Sequence, residues 1–377
     1  MDKGKWKSVS VPAVAVLWKK RILKTAKISV LTIVTVGAVA GLFSLAKSGS
    51  PIFYYAAVFA SPGSLLDIWS EETSLVEEDD ILLPEKTVEE AGSDAVLSQP
   101  EPEKTVPEAP EKDRGVVKEV QYQSKSGGIY IPYQNACIKN CTKLSTKKVL
   151  AMLETPFGLS LSTALEETPQ VLLYHTHATE AFEPADRGYF DINGTWRSTD
   201  YSENMTAVGD EVAAVLTENG IGVLHDYTLH DDPGYKGSYQ RSAVTVSGWL
   251  SEYPTIAVCL DLHRDAIEPS EREIIKPTVL IDGKKAAQIM IIAGCDDGTM
   301  NMPDYPENLR FAAALADRME TLYPGLCRPI LFDYRKYNMD LSPGLLLIEI
   351  GATGNTLEEA KYSARLLGNA LVSLFTA

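Results

Sequence analysis

The sequence predicts an α/β fold in which a mixed, mostly parallel sheet has helices on both faces, preceded by one transmembrane helix and a disordered linker. Three observations support this prediction: a charge-free apolar stretch near the N-terminus, an acidic, proline-containing stretch after it, and regular strand–helix alternation in the C-terminal part. Strands that alternate with helices of about 10–15 residues are typical of βαβ units, whose sheets are covered on both faces.

The N-terminal part of the chain has the pattern of a membrane anchor. Residues 1–27 carry eight Lys or Arg side chains and one acid, and the 19 residues from 28 to 46 contain no charge. As a helix that stretch spans roughly 28 Å, close to the hydrocarbon thickness of a bilayer. The positive-inside rule keeps the basic leader cytoplasmic, which predicts a single-pass protein with the rest of the chain extracytoplasmic. A cleaved signal peptide, cut near Ala46 or Ala57, is the competing interpretation.

Residues 47–127 are predicted to be a spacer, disordered and acidic from about residue 71. Between Glu71 and Lys112 there are fourteen acids, three lysines and five prolines, but no aromatic residue. Such a segment buries too little apolar surface to offset the entropy of ordering it. The net charge of −16 also excludes nucleic acid as an expected partner, because phosphate recognition requires a basic surface.

The five cysteines do not have the spacing of a disulfide framework. Cys137 and Cys141 form CIKNC, but no second pair follows to complete a metal site. Cys259 lies in a strand-like run and is predicted to be a buried apolar residue. A Cys295–Cys327 disulfide is compatible with an exported domain.

The folded part is predicted to begin near Gly128, with a short strand and helix over residues 128–164 and a larger domain over residues 165–377. Ser202 is the predicted N-cap of the first long helix. The predicted elements of the larger domain are strands at 171–177, 221–226, 255–263, 285–295 and 344–351, and helices at 202–219, 240–253, 308–323 and 356–375.

Three of the five histidines lie at predicted strand ends, where ligand sites of such folds are found. His177 and Glu180 form an HxxE element, which can place an imidazole and a carboxylate on one metal ion. With His263 as a third ligand the set suits zinc, which takes three protein ligands and one water in catalytic sites. His175, two residues before His177, is either a further ligand or a neighbour of the site.

Glu349 and Arg264 complete the predicted site. Glu349 lies within the apolar strand LLLIEIG, where an unpaired carboxylate is costly to bury. Beside a metal-bound water it would act as general base and then pass the proton to a leaving amine. Arg264 would stabilise a substrate carboxylate or a developing oxyanion. The structural alternative is a salt bridge from Glu349 to Arg264 or Arg335.

Several longer motifs follow one another in the C-terminal part of the chain: HTHATEAF, VGDEVAAVLTENGIGVLHDYT, YKGSY, DLHRDA and LLLIEIGATGNTLEEA. In this order they resemble the stage II sporulation protein P family over most of residues 165–375. Met339 departs from the family pattern, in which glutamine usually follows the Tyr-Asn pair, and Phe182 replaces a tyrosine.

The resemblance implies a zinc amidase/carboxypeptidase-like catalytic domain over residues 165–377. The implied activity is zinc-dependent N-acetylmuramoyl-L-alanine amidase, with a further endopeptidase activity on the cross-linked stem peptides of peptidoglycan. It also implies a role in engulfment during endospore formation, at the mother-cell membrane facing the intermembrane space, in complex with stage II sporulation protein D.

By the same resemblance, His177, Glu180 and His263 match metal-site positions and Glu349 matches the catalytic acid position. Related amidases take their carboxylate ligand from the first helix after the histidine, where Glu203 is located in this chain. Glu180 and Glu203 are therefore alternative ligands.

Two other functions are compatible with the sequence. A zinc carboxypeptidase or endopeptidase that acts only on stem peptides needs the same metal and base. A non-catalytic wall-binding scaffold needs neither, and the presence of two strand-end histidines and two glutamates argues against it.

Overall fold

A computed structural model describes residues 108–163 and 168–376 of the chain. The predicted cytoplasmic leader, the apolar stretch at 28–46 and most of the predicted spacer lie outside these residues. Within the two described ranges, no helix is both long enough and apolar enough to span a bilayer.

The described chain is built around a mixed sheet of eight strands, which confirms the α/β class and the mixed sheet of the prediction. Five of the seven strand pairings in this sheet are parallel and two are antiparallel. In spatial order the strands are β2 (Tyr130–Tyr133), β3 (Ala136–Asn140), β11 (Ile330–Asp333), β10 (Ile289–Gly294), β12 (Leu345–Ala352), β7 (Val258–Asp265), β4 (Val171–Tyr174) and β6 (Val223–His225).

Helices pack on both faces of this sheet because its central strands are apolar on both sides. Leu173 and Leu346 belong to one core, whereas their neighbours Leu172 and Leu347 belong to the core on the opposite face. This division follows from the two-residue period of a strand. The second core is covered by α3 (Ser238–Glu252), and the first by α1 (Thr146–Leu153), α2 (Met205–Glu218), α4 (Tyr305–Leu322) and α5 (Leu357–Thr376).

A second sheet, of four strands, was not predicted. Its strand β1 (Arg114–Val120) lies between β5 (Tyr189–Asp191) and β8 (Glu273–Ile281), and β9 (Lys284–Ala287) pairs with the other side of β8. Ordered structure therefore begins before Gly128, inside the segment assigned to the spacer. Local composition does not reveal this strand, because the partners that complete its hydrogen bonds lie far later in the chain.

The helix predicted over residues 202–219 corresponds to α2, but its N-cap is Asn204. The Asn204 Oδ1 atom accepts a hydrogen bond from the Thr206 backbone amide at 2.9 Å. The Ser202 hydroxyl instead donates to Asp200 at 2.7 Å, so the prediction that Ser202 caps this helix is wrong. Both residue types are good caps, and the preceding turn decides between them.

The strand predicted over residues 285–295 is divided between the two sheets. β9 belongs to the small sheet and β10 to the large one, with Gln288 between them. The side chain of Gln288 exchanges two hydrogen bonds with the backbone of Tyr122, at 2.6 and 2.8 Å.

Among the described residues all five cysteines are free, so the suggested Cys295–Cys327 disulfide is not formed.

Gly115 allows β1 to approach β5, which makes it a test of the small sheet. A Cβ atom at this position would lie 2.2 Å from Cζ of Phe190, whose ring is 1% exposed. We expect Gly115→Ala to lower the free energy of unfolding by about 1–3 kcal/mol, measured by chemical denaturation, because the ring has to move within a packed core.

Gly158→Ala is the matched control, since a Cβ there meets no heavy atom within 4 Å. It should change the stability by less than about 0.5 kcal/mol. Equal stabilities for the two variants would contradict the packing of β1 against β5.

Candidate active site

Three of the predicted site residues, His177, His263 and Glu349, lie at or near the carboxyl ends of three adjacent parallel strands. β12 pairs with β7, and β7 pairs with β4, all in the same direction. His177 follows β4, His263 lies near the end of β7, and Glu349 on β12 is directly opposite His263 in the strand register. The structure therefore brings together residues that are far apart in the sequence.

His263 is the centre of the cluster. Its ring centroid is 5.3 Å from that of His177, with the two rings nearly perpendicular. Its Nδ1 atom is 3.5 Å from Oε2 of Glu180, and the backbone amide of Arg264 donates to the same oxygen at 3.1 Å. Burial opposes ionisation of Glu180, yet the hydrogen bond from His263 and the charge of Arg264 lower its pKa to about 2. Glu180 is therefore a carboxylate.

Asp261, which the sequence analysis missed, lies behind His263. Its Oδ1 atom is 2.9 Å from His263 Nε2, although the two are not in hydrogen-bond geometry. Thr176 donates to Asp261 through its backbone amide at 2.8 Å and its hydroxyl at 2.7 Å. Burial opposes a charge on His263, but Asp261 and Glu180 raise the pKa of His263 well above its ordinary value. An acid two residues before a strand histidine shares its face, and this spacing could have identified Asp261.

His177 is enclosed by residues from the loop that precedes α3 and from the start of that helix. The ring of Tyr235 stacks on its ring at a centroid distance of 4.2 Å. Its Nδ1 atom is 3.4 Å from the Ser238 hydroxyl and 3.9 Å from Oδ2 of Asp231. Burial, reinforced by the charge of His263, lowers the pKa of His177 to about 4. His177 is consequently neutral at pH 7, and the sequence alone gave no reason to assign these neighbours to it.

Glu349 has one carboxyl oxygen with no hydrogen-bond partner among the described residues. The residue as a whole is half-buried, but its Oε2 atom is buried. Burial raises the pKa of Glu349 to about 8, against the opposing effect of the charge of His263. The alternative salt bridge from Glu349 to Arg264 or Arg335 is not formed in the described part of the chain.

Arg264 is used within the protein. Its Nε atom donates to the carbonyl of Ala181 at 2.9 Å, and its Nη2 atom donates to the carbonyl of Trp196 at 3.0 Å. These carbonyls belong to two segments joined by an antiparallel bridge between Glu180 and Arg197, and the Ala181 amide donates to the Trp196 carbonyl at 2.9 Å. Arg264 thus holds the segment that carries Glu180. Its predicted contact with substrate stays a prediction.

His175 and Glu203, the other two candidate zinc ligands, make contacts outside the cluster. His175 Nε2 is 2.9 Å from Nε2 of His225, and His175 Nδ1 is 3.0 Å from the carbonyl of Leu262. Burial lowers the pKa of His175 to about 3. Glu203 is exposed and accepts a hydrogen bond from the Ser198 hydroxyl at 3.3 Å. Glu180, by contrast, lies against His263.

The donor set of this cluster fits zinc in its chemistry. Two imidazoles and a carboxylate are typical zinc ligands. Asp231 lies 3.9 Å from a ring nitrogen of His177, and Asp261 lies 2.9 Å from a ring nitrogen of His263. In the ranges that the structure describes, no three His, Cys, Asp or Glu side chains are grouped closely enough to hold an ion as they stand. Zinc binding would therefore require these side chains to move.

Among solved structures, this chain is similar to N-acetylmuramyl-L-alanine amidase Ami1 from Mycobacterium smegmatis, with 12% sequence identity and a TM-score of 0.32. The match covers 55% of this chain and 98% of that chain. The CwlD amidase from Clostridioides difficile, solved in complex with the GerS lipoprotein, shares 10% identity and a TM-score of 0.31, over 55% of this chain and 96% of that one. Likenesses at these identities and scores do not determine function.

Relatives in sequence are more informative. Stage II sporulation protein P of Bacillus subtilis (strain 168) is 30% identical over 217 residues, which are 55% of this chain and 50% of the relative. This chain thus spans about half the length of that curated relative. The family model of stage II sporulation protein P matches residues 67–372, which is most of the chain. The chain therefore belongs to the stage II sporulation protein P family.

Proposed function

We propose that this protein is a zinc-dependent peptidoglycan hydrolase that cleaves the amide between the lactyl group of N-acetylmuramic acid and L-alanine. The observation that supports this function is the meeting of His177, Glu180, His263 and Glu349 at the ends of parallel strands. Two imidazoles, an ionised carboxylate and a carboxyl group of raised pKa are the side chains that metal-assisted amide hydrolysis requires.

His177, Glu180 and His263 would hold the zinc ion. When bound, zinc polarises a carbonyl group and lowers the pKa of a water molecule to about 7. His177 suits this role because its lowered pKa keeps the imidazole neutral at pH 7. Asp261 lies at the Nε2 side of His263, so its position leaves Nδ1 directed toward Glu180.

Glu349 would transfer the proton. Burial raises its pKa to about 8, so the carboxyl group can both accept and release a proton near neutral pH. Its buried Oε2 atom has no hydrogen-bond partner among the described residues, so no other side chain in these residues holds this oxygen. It would take the proton of the attacking water and deliver it to the amine that leaves.

The cellular setting of this activity is part of the proposal. The charge-free stretch at residues 28–46 would anchor the chain in the membrane, and the acidic spacer would separate the catalytic domain from the lipid. Family membership supports action on peptidoglycan during engulfment in endospore formation, from the mother-cell membrane and with stage II sporulation protein D as partner. It also supports an additional endopeptidase activity on cross-linked stem peptides.

A carboxypeptidase or endopeptidase that acts only on stem peptides is the second candidate. The observation that favours it is the position of the carboxylate: Glu180, in the HxxE element, contacts His263, whereas Glu203 is exposed. Zinc carboxypeptidases take their carboxylate from such an element. Both candidates use the same metal and base, so the products of the reaction distinguish them.

Replacing Glu349 with Gln tests the proposed proton transfer. We expect hydrolysis of purified peptidoglycan by the full chain to fall by at least about 100-fold, because the amide cannot accept a proton. Zinc content, measured by atomic absorption, should stay equal to that of the unsubstituted protein. Normal turnover by Glu349→Gln would remove this residue from the reaction.

Mass spectrometry of the released peptides, with and without chelator, separates the candidate activities. Chelator-sensitive release of peptides with a free L-alanine amino group supports the amidase. Products cut only within stem peptides support the second candidate. Absence of both products together with absence of bound zinc would support a wall-binding scaffold.

Substituting Glu180 and Glu203 in turn tests the carboxylate ligand. We expect Glu180→Gln to weaken zinc binding by about 100-fold or more, since even the loss of a residue that only orients a ligand costs 10–100-fold. Glu203→Gln is the matched control and should bind zinc normally, because Glu203 is exposed and contacts Ser198. Competition with a chromophoric chelator measures both affinities. The opposite ranking would assign the ligand to Glu203.

A further inference from the structure

Arg197 lies on the segment that runs antiparallel to the HxxE element. A backbone bridge pairs it with Glu180, and the adjacent Ala181 amide donates to the Trp196 carbonyl at 2.9 Å. The two hydrogen bonds from Arg264 to this pair of segments hold them together. The position of Arg197 relative to the candidate zinc ligands is therefore set by the fold.

One side of the Arg197 guanidinium is fixed by a buried carboxylate. Its Nη1 atom donates to Oδ2 of Asp231 at 2.6 Å and to the Thr179 hydroxyl oxygen at 3.0 Å. The Asp231 side chain is fully buried and also accepts hydrogen bonds from the amide and hydroxyl of Thr179. Buried hydrogen bonds thus set the orientation of this guanidinium.

The other side of the guanidinium is available to solvent. Its Nη2 atom is 3.9 Å from Oε1 of Glu180, which is too long for a hydrogen bond, and 39% of the side chain is exposed. Its Cζ atom lies 5.0 Å from the ring centroid of Tyr235, which is 60% exposed and stacks on His177. A cation and an aromatic ring, both exposed, therefore stand beside two of the candidate zinc ligands.

Arg264 does not offer the same surface. It is 8% exposed, and its Nε and Nη2 atoms both donate to backbone carbonyls. An exposed guanidinium of fixed orientation, by contrast, can bind a planar carboxylate through two parallel hydrogen bonds. Of these two arginines, Arg197 is the one whose geometry suits an anionic ligand.

We propose that Arg197 and Tyr235 form a subsite that binds a carboxylate of the substrate's stem peptide. This inference rests on the proposed function, in which the scissile amide lies at His177, Glu180 and His263. The scissile amide precedes L-alanine, and the residue after L-alanine in a stem peptide carries either a free carboxylate or a carboxamide. The subsite selects the carboxylate form, because only that form offers a negative charge and two acceptor oxygens to the guanidinium.

The test uses two muramoyl peptides that differ only in this carboxylate or carboxamide, and zinc-loaded full chain. The unsubstituted protein should prefer the carboxylate substrate. Arg197→Gln should lower kcat/KM for the carboxylate substrate by about 10-fold or more, mainly by raising KM. It should change kcat/KM for the carboxamide substrate by no more than about twofold. Arg197→Lys should recover part of the loss, since it keeps the charge but not the two parallel hydrogen bonds.

Arg365→Gln is the matched control. Its side chain is 46% exposed and pairs with Glu211, away from the candidate zinc ligands in sequence and contacts. Arg365→Gln should leave kcat/KM for both substrates unchanged. Zinc content and thermal stability are measured for every variant. Equal losses on both substrates, or loss of zinc from Arg197→Gln, would overturn the subsite and leave Arg197 as a support for the HxxE element.

Binding measured by calorimetry in the Glu349→Gln background separates this inference from the proposed function. The carboxylate peptide should bind about 10-fold more tightly than the carboxamide peptide, and Arg197→Gln should abolish that difference. If neither peptide is cleaved by the unsubstituted protein but this difference persists, the amidase proposal fails and the subsite stands. Equal binding of the two peptides overturns the subsite whatever is cleaved.

Discussion

The parallel alignment of β4, β7 and β12 is the constraint on which the candidate site depends. Because each strand pairs with its neighbour in the same direction, their carboxyl ends meet at one edge of the sheet. The register of β7 and β12 places Glu349 opposite His263. Apolar cores on both faces maintain this register, since a slip of one residue would exchange the side chains of the two faces.

The same edge concentrates buried charge, and this determines the chemistry of the site. His263 lies between Asp261 and Glu180, so its pKa rises despite burial, while Glu180 remains ionised. Glu349 receives less compensation, and burial raises its pKa instead. Buried titratable groups with opposite pKa shifts are costly to folding, and they occur preferentially at functional sites. One carboxylate and one carboxyl group of raised pKa thus both lie at this edge of the sheet.

Two arginines outside the HxxE element contact the segments around it, and they do so in different ways. Arg264 is buried and uses its donors on the backbone around Glu180, whereas Arg197 is held by Asp231 and stays half-exposed. Residue type does not distinguish these roles, because both side chains carry the same fork of donors. Burial and available acceptors decide between them.

The amino-acid sequence by itself determined the strand–helix alternation, the apolar strands and the presence of His177, Glu180, His263 and Glu349 near strand ends, because these follow from local period and composition. Only the tertiary structure decided which other residues surround these four side chains. Contacts between segments distant in sequence form the small sheet and place Asp261 beside His263. Such contacts also give Arg197 and Arg264 different partners. No local pattern encodes such contacts, since they arise from strand pairing and from the packing that follows it.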